Sequence, residues 1–443
     1  KSQANLVLSQ SFTLREGNEK GFEAFLQDIV GFFVVEYVIV HSTQNFRSQT
    51  EVDNLWDSVI AKVVKIITES LDECHDPNLF LQIKFSLFTF IQTLEDYGYN
   101  VHAFTDLILT VFQRYSDMLK QRFLEDFLQT LLYDDYMPMP ISSPAEYEAV
   151  VDACWFKEDH RISQGYPRTL PFSQAYPSCC LDIKKFVDQY YTFAEGDSRQ
   201  FSTVDDIAKQ TLDNLLIEHV NGVLTSKLES QNMSQIVQII INLEYFHDAC
   251  GELEKLLKSK RSSHRGGQIK LKAAEEFRET SKKAEKRIFE LVNSKIDDFL
   301  ELADYDWVPN SVQAHPSFFL HDMANYLTAV ISSTLYNLPM SIKIFIYFNA
   351  LSHLASSLCN LILSPSVKKI NANGVANLEV DVTFLEHFAR KLEDPNIADA
   401  FLELRQIVTL LQSDNVEEYL DPSTRNRKYS LLKPTDVINL FDK

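Results

Sequence analysis

Residues 268–307 read QIKLKAAEEFRETSKKAEKRIFELVNSKIDDFLELADYDW, and this stretch decides the fold. Phe277, Ala284, Ile288, Leu291, Val292, Ile296, Phe299, Leu300 and Ala303 recur at steps of three and four. That spacing gathers side chains on one side of an α-helix. No glycine or proline interrupts residues 268–303. A helix over that range spans about 54 Å at ~1.5 Å per residue. Such a length suits a rod better than a compact globule. Residues 304–309, DYDWVP, then break the helix. The stretch is therefore expected to be a spine joining two helical subdomains.

Composition agrees with an all-α chain. The 443 residues are 45% hydrophobic and hold only 11 glycines and 14 prolines. That favours helices over a turn-rich β architecture. Almost nothing alternates at period two, so sheet is expected to be minimal. The net charge of −20 argues against general nucleic-acid binding. Six scattered cysteines without a C-x-x-C read as reduced thiols of a cytosolic protein, buried as small apolar residues. A chain that starts at Lys1 is expected to be part of a longer protein. Residues 31–40, GFFVVEYVIV, come nearest to a membrane span, but the run is short and carries Glu36, so it reads as a buried helix segment.

The apolar pattern predicts helices over residues 18–46, 52–71, 79–94 and 101–136. A proline-rich break follows at 137–144, then a short helix over 144–156. Residues 161–177 form a loop whose Tyr166, Phe172 and Tyr176 are expected to pack it onto a bundle. Helices resume over 179–193. Another opens at Ser202-Thr203-Val204-Asp205, read as a capping box, and runs to 227, followed by one over 234–260. Beyond Trp307, helices are predicted over 317–337, 340–364, 367–392 and 397–411. These patterns divide the chain into a bundle over 1–160, a middle bundle over 161–303 containing the spine, and a C-terminal bundle over 310–443. The expected architecture is an elongated rod of stacked antiparallel helical bundles.

No catalytic signature is present. The sequence lacks a glycine-rich phosphate loop, a dinucleotide fingerprint, a G-x-S-x-G and a metal-ligand spacing of His, Cys and acids. No enzyme activity, cofactor or metal is expected. One charge anomaly stands out. Residues 255–287 hold twelve Lys and Arg against four acids, a surplus of eight positive charges. Lys258, Lys260, Arg261 and Arg265 are the candidate basic surface for an anionic partner or membrane. The alternative is a solvated, mobile loop flanked by helix ends.

Residues 286–299 (KRIFELVNSKIDDF), 305–307 (YDW) and 170–173 (LPFS), with Tyr176-Pro177 and Cys179, resemble the Rab-binding subunit of the exocyst vesicle-tethering complex, its component six. The order and spacing match that family's C-terminal half over nearly the whole chain. The resemblance implies a tethering rod that holds secretory vesicles at the plasma membrane. It implies a cytoplasmic protein whose membrane association is peripheral and indirect. It implies as partners the other exocyst subunits and a Rab family GTPase in its GTP form, bound by the C-terminal part.

A GTP-bound Rab offers an apolar, aromatic switch surface, so its partner is expected to expose apolar area on a rigid helix. Residues 340–364 are the most apolar helix. Its Asn349, Ser352, His353 and Ser356 share a face with Phe345 one turn earlier, and Phe348 lies beside them. These six are the candidate Rab-binding residues, with Asn349 able to donate and accept toward a docked backbone. The alternative is a central core helix whose Asn349 is satisfied internally, in a purely structural scaffold.

Overall fold

The structure is a computed structural model describing residues 19–43, 47–71, 74, 76–157, 165–194, 201–260, 269–392, 394–413 and 416–443. Among the described residues it is all-α apart from one two-stranded ribbon. The accessible surface is 24555 Å² for a chain of 51.0 kDa.

The first four helices are α1 (Glu19–Ser42), α2 (Gln49–Leu71), α3 (Pro77–Asp96) and α4 (His102–Tyr133). The start of α3 is written locally: Asp76 accepts from the Asn78 N–H, and Pro77 occupies the first turn, where no donor is needed. Its end turns at Gly98, whose φ of +81° lies in the left-handed region. The turn delivers Tyr99 into a cluster with Trp56 and Phe33, with ring centroids 4.7 and 5.2 Å away. The Trp56 indole donates to the Asn100 carbonyl at 2.8 Å, and the Tyr99 hydroxyl donates to the Phe33 carbonyl at 2.9 Å. The 31–40 run behaves differently from a buried segment. It belongs to a 24-residue helix whose inner face, Phe22, Leu26, Ile29 and Phe33, is buried. Phe32, Val35, Val38 and Ile39 remain exposed.

The irregular region holds β1 (Met139–Ile141) antiparallel to β2 (Arg168–Leu170), with α5 (Pro144–Cys154) between them. Of the three aromatics expected to pack the 161–177 loop, Phe172 is buried after β2, Tyr176 is buried but belongs to the helix that begins at Ala175, and Tyr166 stays exposed. A polar staple fixes it. Asn242 accepts from the Ser173 N–H at 3.0 Å and donates to Ser173 Oγ at 2.8 Å, while Gln238 donates to the Pro171 carbonyl at 2.9 Å. Ser173 Oγ in turn donates to Asp134 at 2.7 Å. Next come α6 (Ala175–Ala194), α7 (Phe201–Asn214), a π-helical segment (Leu215–Asn221), α8 (Gly222–Lys227) and α9 (Met233–Lys260). The side chain of Ser202, on which the predicted capping box rests, lies outside the described residues; α7 is already helical at Phe201, and Asp205 accepts from the Tyr191 hydroxyl.

The spine is α10 (Ala273–Glu301), 29 residues or about 43 Å long, not 268–303. Its start is set from afar. Asp213 of α7 accepts from the Lys272 and Ala273 N–H groups at 3.0 and 2.8 Å, capping the helix with a carboxylate from another segment. Residue 268 lies outside the described residues. The predicted stripe holds where it is most needed: Phe277, Ala284, Ile288, Val292 and Ile296 are buried. The first half of α10 packs on α9, and the second half packs on the helices beyond Trp307.

Those are α11 (Phe318–Ser333), α12 (Met340–Leu363), α13 (Ala372–Arg390), α14 (Leu402–Leu411), α15 (Pro422–Lys428) and α16 (Pro434–Phe441). The predicted 367–392 helix begins only at Ala372, where Asn371 caps it by accepting from the Gly374 N–H. The 397–411 helix opens as a 3₁₀ segment, Pro395–Phe401. Residues 302–317 form a strap across α13. The Trp307 carbonyl accepts from the Asn371 N–H at 3.0 Å. Buried Asp381 accepts from the Ser317 N–H and Oγ, both at 2.7 Å, and from the Tyr305 hydroxyl at 3.0 Å. The strap thus ties the end of the spine to the C-terminal helices.

Candidate partner-binding surface

Helix α12 has two faces. Ile346, Tyr347, Ala350, Leu351, Leu354, Leu358 and Ile362 are buried against its neighbours. The opposite face, an arc of about 140° at 3.6 residues per turn, carries all six predicted residues. Phe345 and Phe348 stand 55% and 43% exposed, Ser356 is exposed, and Asn349, Ser352 and His353 are half-buried. The structure therefore brings the six together along one side of one helix. A helix this apolar is central to its bundle on one side and open on the other.

The open face is not isolated. It meets α10 in a ladder with four-residue steps on both helices, which therefore run in the same direction. Phe345 packs edge-on against Phe289, with ring centroids 5.3 Å apart. Asn293 donates from Nδ2 to Asn349 Oδ1 at 3.3 Å. His353 Nε2 lies 2.7 Å from Asp297 Oδ1. Asn349 is thus engaged within the chain through its oxygen. The ladder holds the Phe345 ring in place, so little of its side-chain freedom is left to lose on docking. The α10 members were missed in the sequence, although Phe289, Asn293 and Asp297 repeat the four-residue spacing of Phe345, Asn349 and His353.

One turn from Phe345, a cleft of about 630 Å³ opens where α9, α10 and the start of α12 meet. Glu244, His247 and Asp248 line it from α9; Arg278, Lys282 and Glu285 line it from α10; and Ser341 lies at its α12 edge. Burial pushes the Glu244 carboxyl up to about 7; Glu285 and Asp248 push the same way, and His247 opposes them. Burial raises Glu285 as well, with Lys282 opposing.

Two of the four residues of the predicted basic surface, Lys258 and Lys260, lie among the described residues. Lys258 is exposed in the last turn of α9, where a cation complements the helix dipole. Lys260 pairs with Asp188 at 3.1 Å. Arg261 and Arg265, with the loop assigned to them, lie outside the described residues. Three of the twelve cations are paired locally: Lys255 with Glu252, Lys282 with Glu279 and Arg287 with Glu290. Among the described residues, no three His, Cys, Asp or Glu side chains are grouped to hold a metal ion.

Residues 103–443 match the family model described as exocyst complex subunit Sec15 C-terminal. The chain belongs to the Sec15 family of exocyst subunits. Within that family, mouse exocyst complex component 6B is 30% identical over 456 residues, covering 100% of this chain and 56% of the relative. Exocyst complex component sec15 of Schizosaccharomyces pombe is 29% identical over 429 residues, covering 95% of this chain and 55% of the relative. SEC15 of Saccharomyces cerevisiae is 27% identical over 477 residues, covering 95% and 52%. The chain thus spans about half the length of the Sec15 relatives it matches. A crystal structure of a Sec15 C-terminal domain aligns with 70% of this chain and 98% of its own, at 24% identity and a TM-score of 0.49.

Proposed function

We propose that this chain is the C-terminal rod of an exocyst tethering subunit, and that the open face of α12 docks the switch surface of a GTP-bound Rab GTPase. Family membership supports the first part: the relatives it matches are exocyst components. In this reading the chain assembles with other exocyst subunits in the cytoplasm and reaches vesicle and plasma membrane through its partners. It acts by protein contact, without catalysis. One observation carries the second part. Phe345 and Phe348 expose apolar rings side by side on a helix whose other face is locked in a core. Aromatic anchors on a rigid element are the usual centre of a binding hot spot.

The test is capture of a panel of Rab GTPases, each loaded with GTP analogue or GDP, on the immobilised chain. GTP-dependent capture of at least one Rab is expected, with Phe345→Ala and Phe348→Ala each lowering its affinity at least tenfold. Because both rings are half-exposed, the thermal stability loss should be small, about 1 kcal/mol or less, against about 3–5 kcal/mol for truncating a fully buried phenylalanine. Capture independent of nucleotide, or absent across the panel, leaves a purely structural scaffold segment. Loss of binding that only follows loss of folding assigns the rings to the core.

A further inference from the structure

The cleft where α9, α10 and α12 meet is short of positive charge. Three carboxylates line it: Glu244 and Asp248, one turn apart on α9, and Glu285 on α10. The cations on its walls are engaged with other groups or open to water. His247 Nδ1 lies 2.9 Å from the Ala274 carbonyl. Lys282 pairs at 2.6 Å with Glu279, which is not part of the cleft lining. Arg278 is exposed. The start of α12 brings Ser341 and Ile342, neither of them charged. Among the described residues, Glu244 and Glu285 form no ion pair.

Leu243, Phe277 and Ile342 complete the walls with apolar surface. Apolar surface beside carboxylates matches a lysine or arginine side chain, whose methylene stem packs while its head carries the charge. The position matters as well. Ser341 stands four residues before Phe345, so the cleft opens about 6 Å along α12 from the exposed rings. A protein seated on Phe345 and Phe348 meets the cleft with the neighbouring part of its surface.

We propose that this cleft receives a lysine or arginine side chain of the GTPase that docks on α12, clasped by Glu244 and Glu285. The clasp rests on the α12 docking reading and adds a charge requirement to it: a GTPase with an acidic residue at that point meets like charge and is turned away. The state of Glu244 supports a missing cation. Burial, Glu285 and Asp248 raise its carboxyl to about 7, and His247 opposes them. An arriving cation favours the carboxylate, so docking releases a proton near neutrality. A metal ion is a poorer occupant, because among the described residues no three His, Cys, Asp or Glu side chains are grouped to hold one.

Two measurements test this. N-acetyl-arginine amide and its neutral isostere N-acetyl-citrulline amide are titrated into the chain at pH 8, read on the methyl resonances of Leu243 and Ile342. Saturable shifts are expected with the arginine probe. Binding at least tenfold weaker is expected with the citrulline probe, and with either probe in the Glu244→Gln/Glu285→Gln variant. Equal response to both probes, or no saturable shift with arginine, overturns the clasp. The second measurement uses the GTPase captured by the nucleotide-loaded panel. Its affinity should fall at least tenfold in the double variant at pH 8, at an unchanged or higher melting temperature. Affinity for the parent chain should rise about tenfold from pH 6 to pH 8, and that rise should vanish in Glu244→Gln. Undiminished affinity in the double variant overturns the clasp and leaves docking on α12 standing. Arginine binding by a chain that captures no GTPase overturns the docking reading and the proposed occupant together.

Discussion

Replacing Glu244 by glutamine should stabilise the spine, and only at higher pH. The Glu244 carboxyl sits between α9 and α10 and is raised from 4.5 to about 7 by burial and by the nearby Glu285 and Asp248. The folded state therefore holds its proton more tightly than the unfolded state does. Stability is lost as pH rises from about 4.5 through 7, because the unfolded chain ionises first and the folded chain must then follow. A shift of that size corresponds to a ceiling of about 3 kcal/mol. Glu244 is only partly buried, so solvent screening brings the expected effect to about 1–2 kcal/mol. Glutamine keeps the shape and removes the charge. Variant and parent should melt together near pH 5, and the variant should melt about 1–3 °C higher at pH 8. Burial raises Asp134 and Asp381 too, but their contributions are common to both proteins and cancel in the difference. A difference that is the same at both pH values, or a variant less stable at pH 8, refutes the electrostatic account of this cleft.

Three further substitutions probe how the spine is held. Asp213→Ala removes the carboxylate that caps Lys272 and Ala273, and should cost about 1–2 kcal/mol, read as faster hydrogen exchange at residues 272–276. Asp381→Ala leaves the Ser317 N–H and the Tyr305 hydroxyl without their acceptor, and should cost about 2–4 kcal/mol by thermal melting while freeing the 302–317 strap to proteolysis. Gly374→Ala places a Cβ 2.5 Å from the Trp307 carbonyl oxygen, and should cost about 1–3 kcal/mol with loss of exchange protection at residues 371–375, since the neighbouring atom is backbone and cannot swing aside.

What could be read from the chain, and what could not, divides along one physical line. Periodicity records which side of a helix wants to leave water, so the bodies of α10 and α12 and the open face bearing Phe345 were legible. It does not record who supplies the cover or the cap. The start of α10 was placed too early because its cap, Asp213, lies 60 residues from Ala273 in sequence. The ladder partners Phe289, Asn293 and Asp297 were missed for the same reason, since a shared four-residue spacing identifies two matching stripes without saying that they meet. Helix α1 is the sharpest case. Its apolar content was read as burial, yet composition states only a demand for cover. In α12 the demand is met on one side by the chain's own helices, and the remaining pair of rings is small and framed by polar residues. In α1 the stripe left uncovered by the described residues is longer, is flanked by open clefts, and includes a buried carboxylate oxygen with no donor. A surface kept for a transient partner has to tolerate water between encounters, and the α12 face does. The α1 face combines a larger apolar stripe with an ion-paired carboxylate, one of whose buried oxygens has no donor.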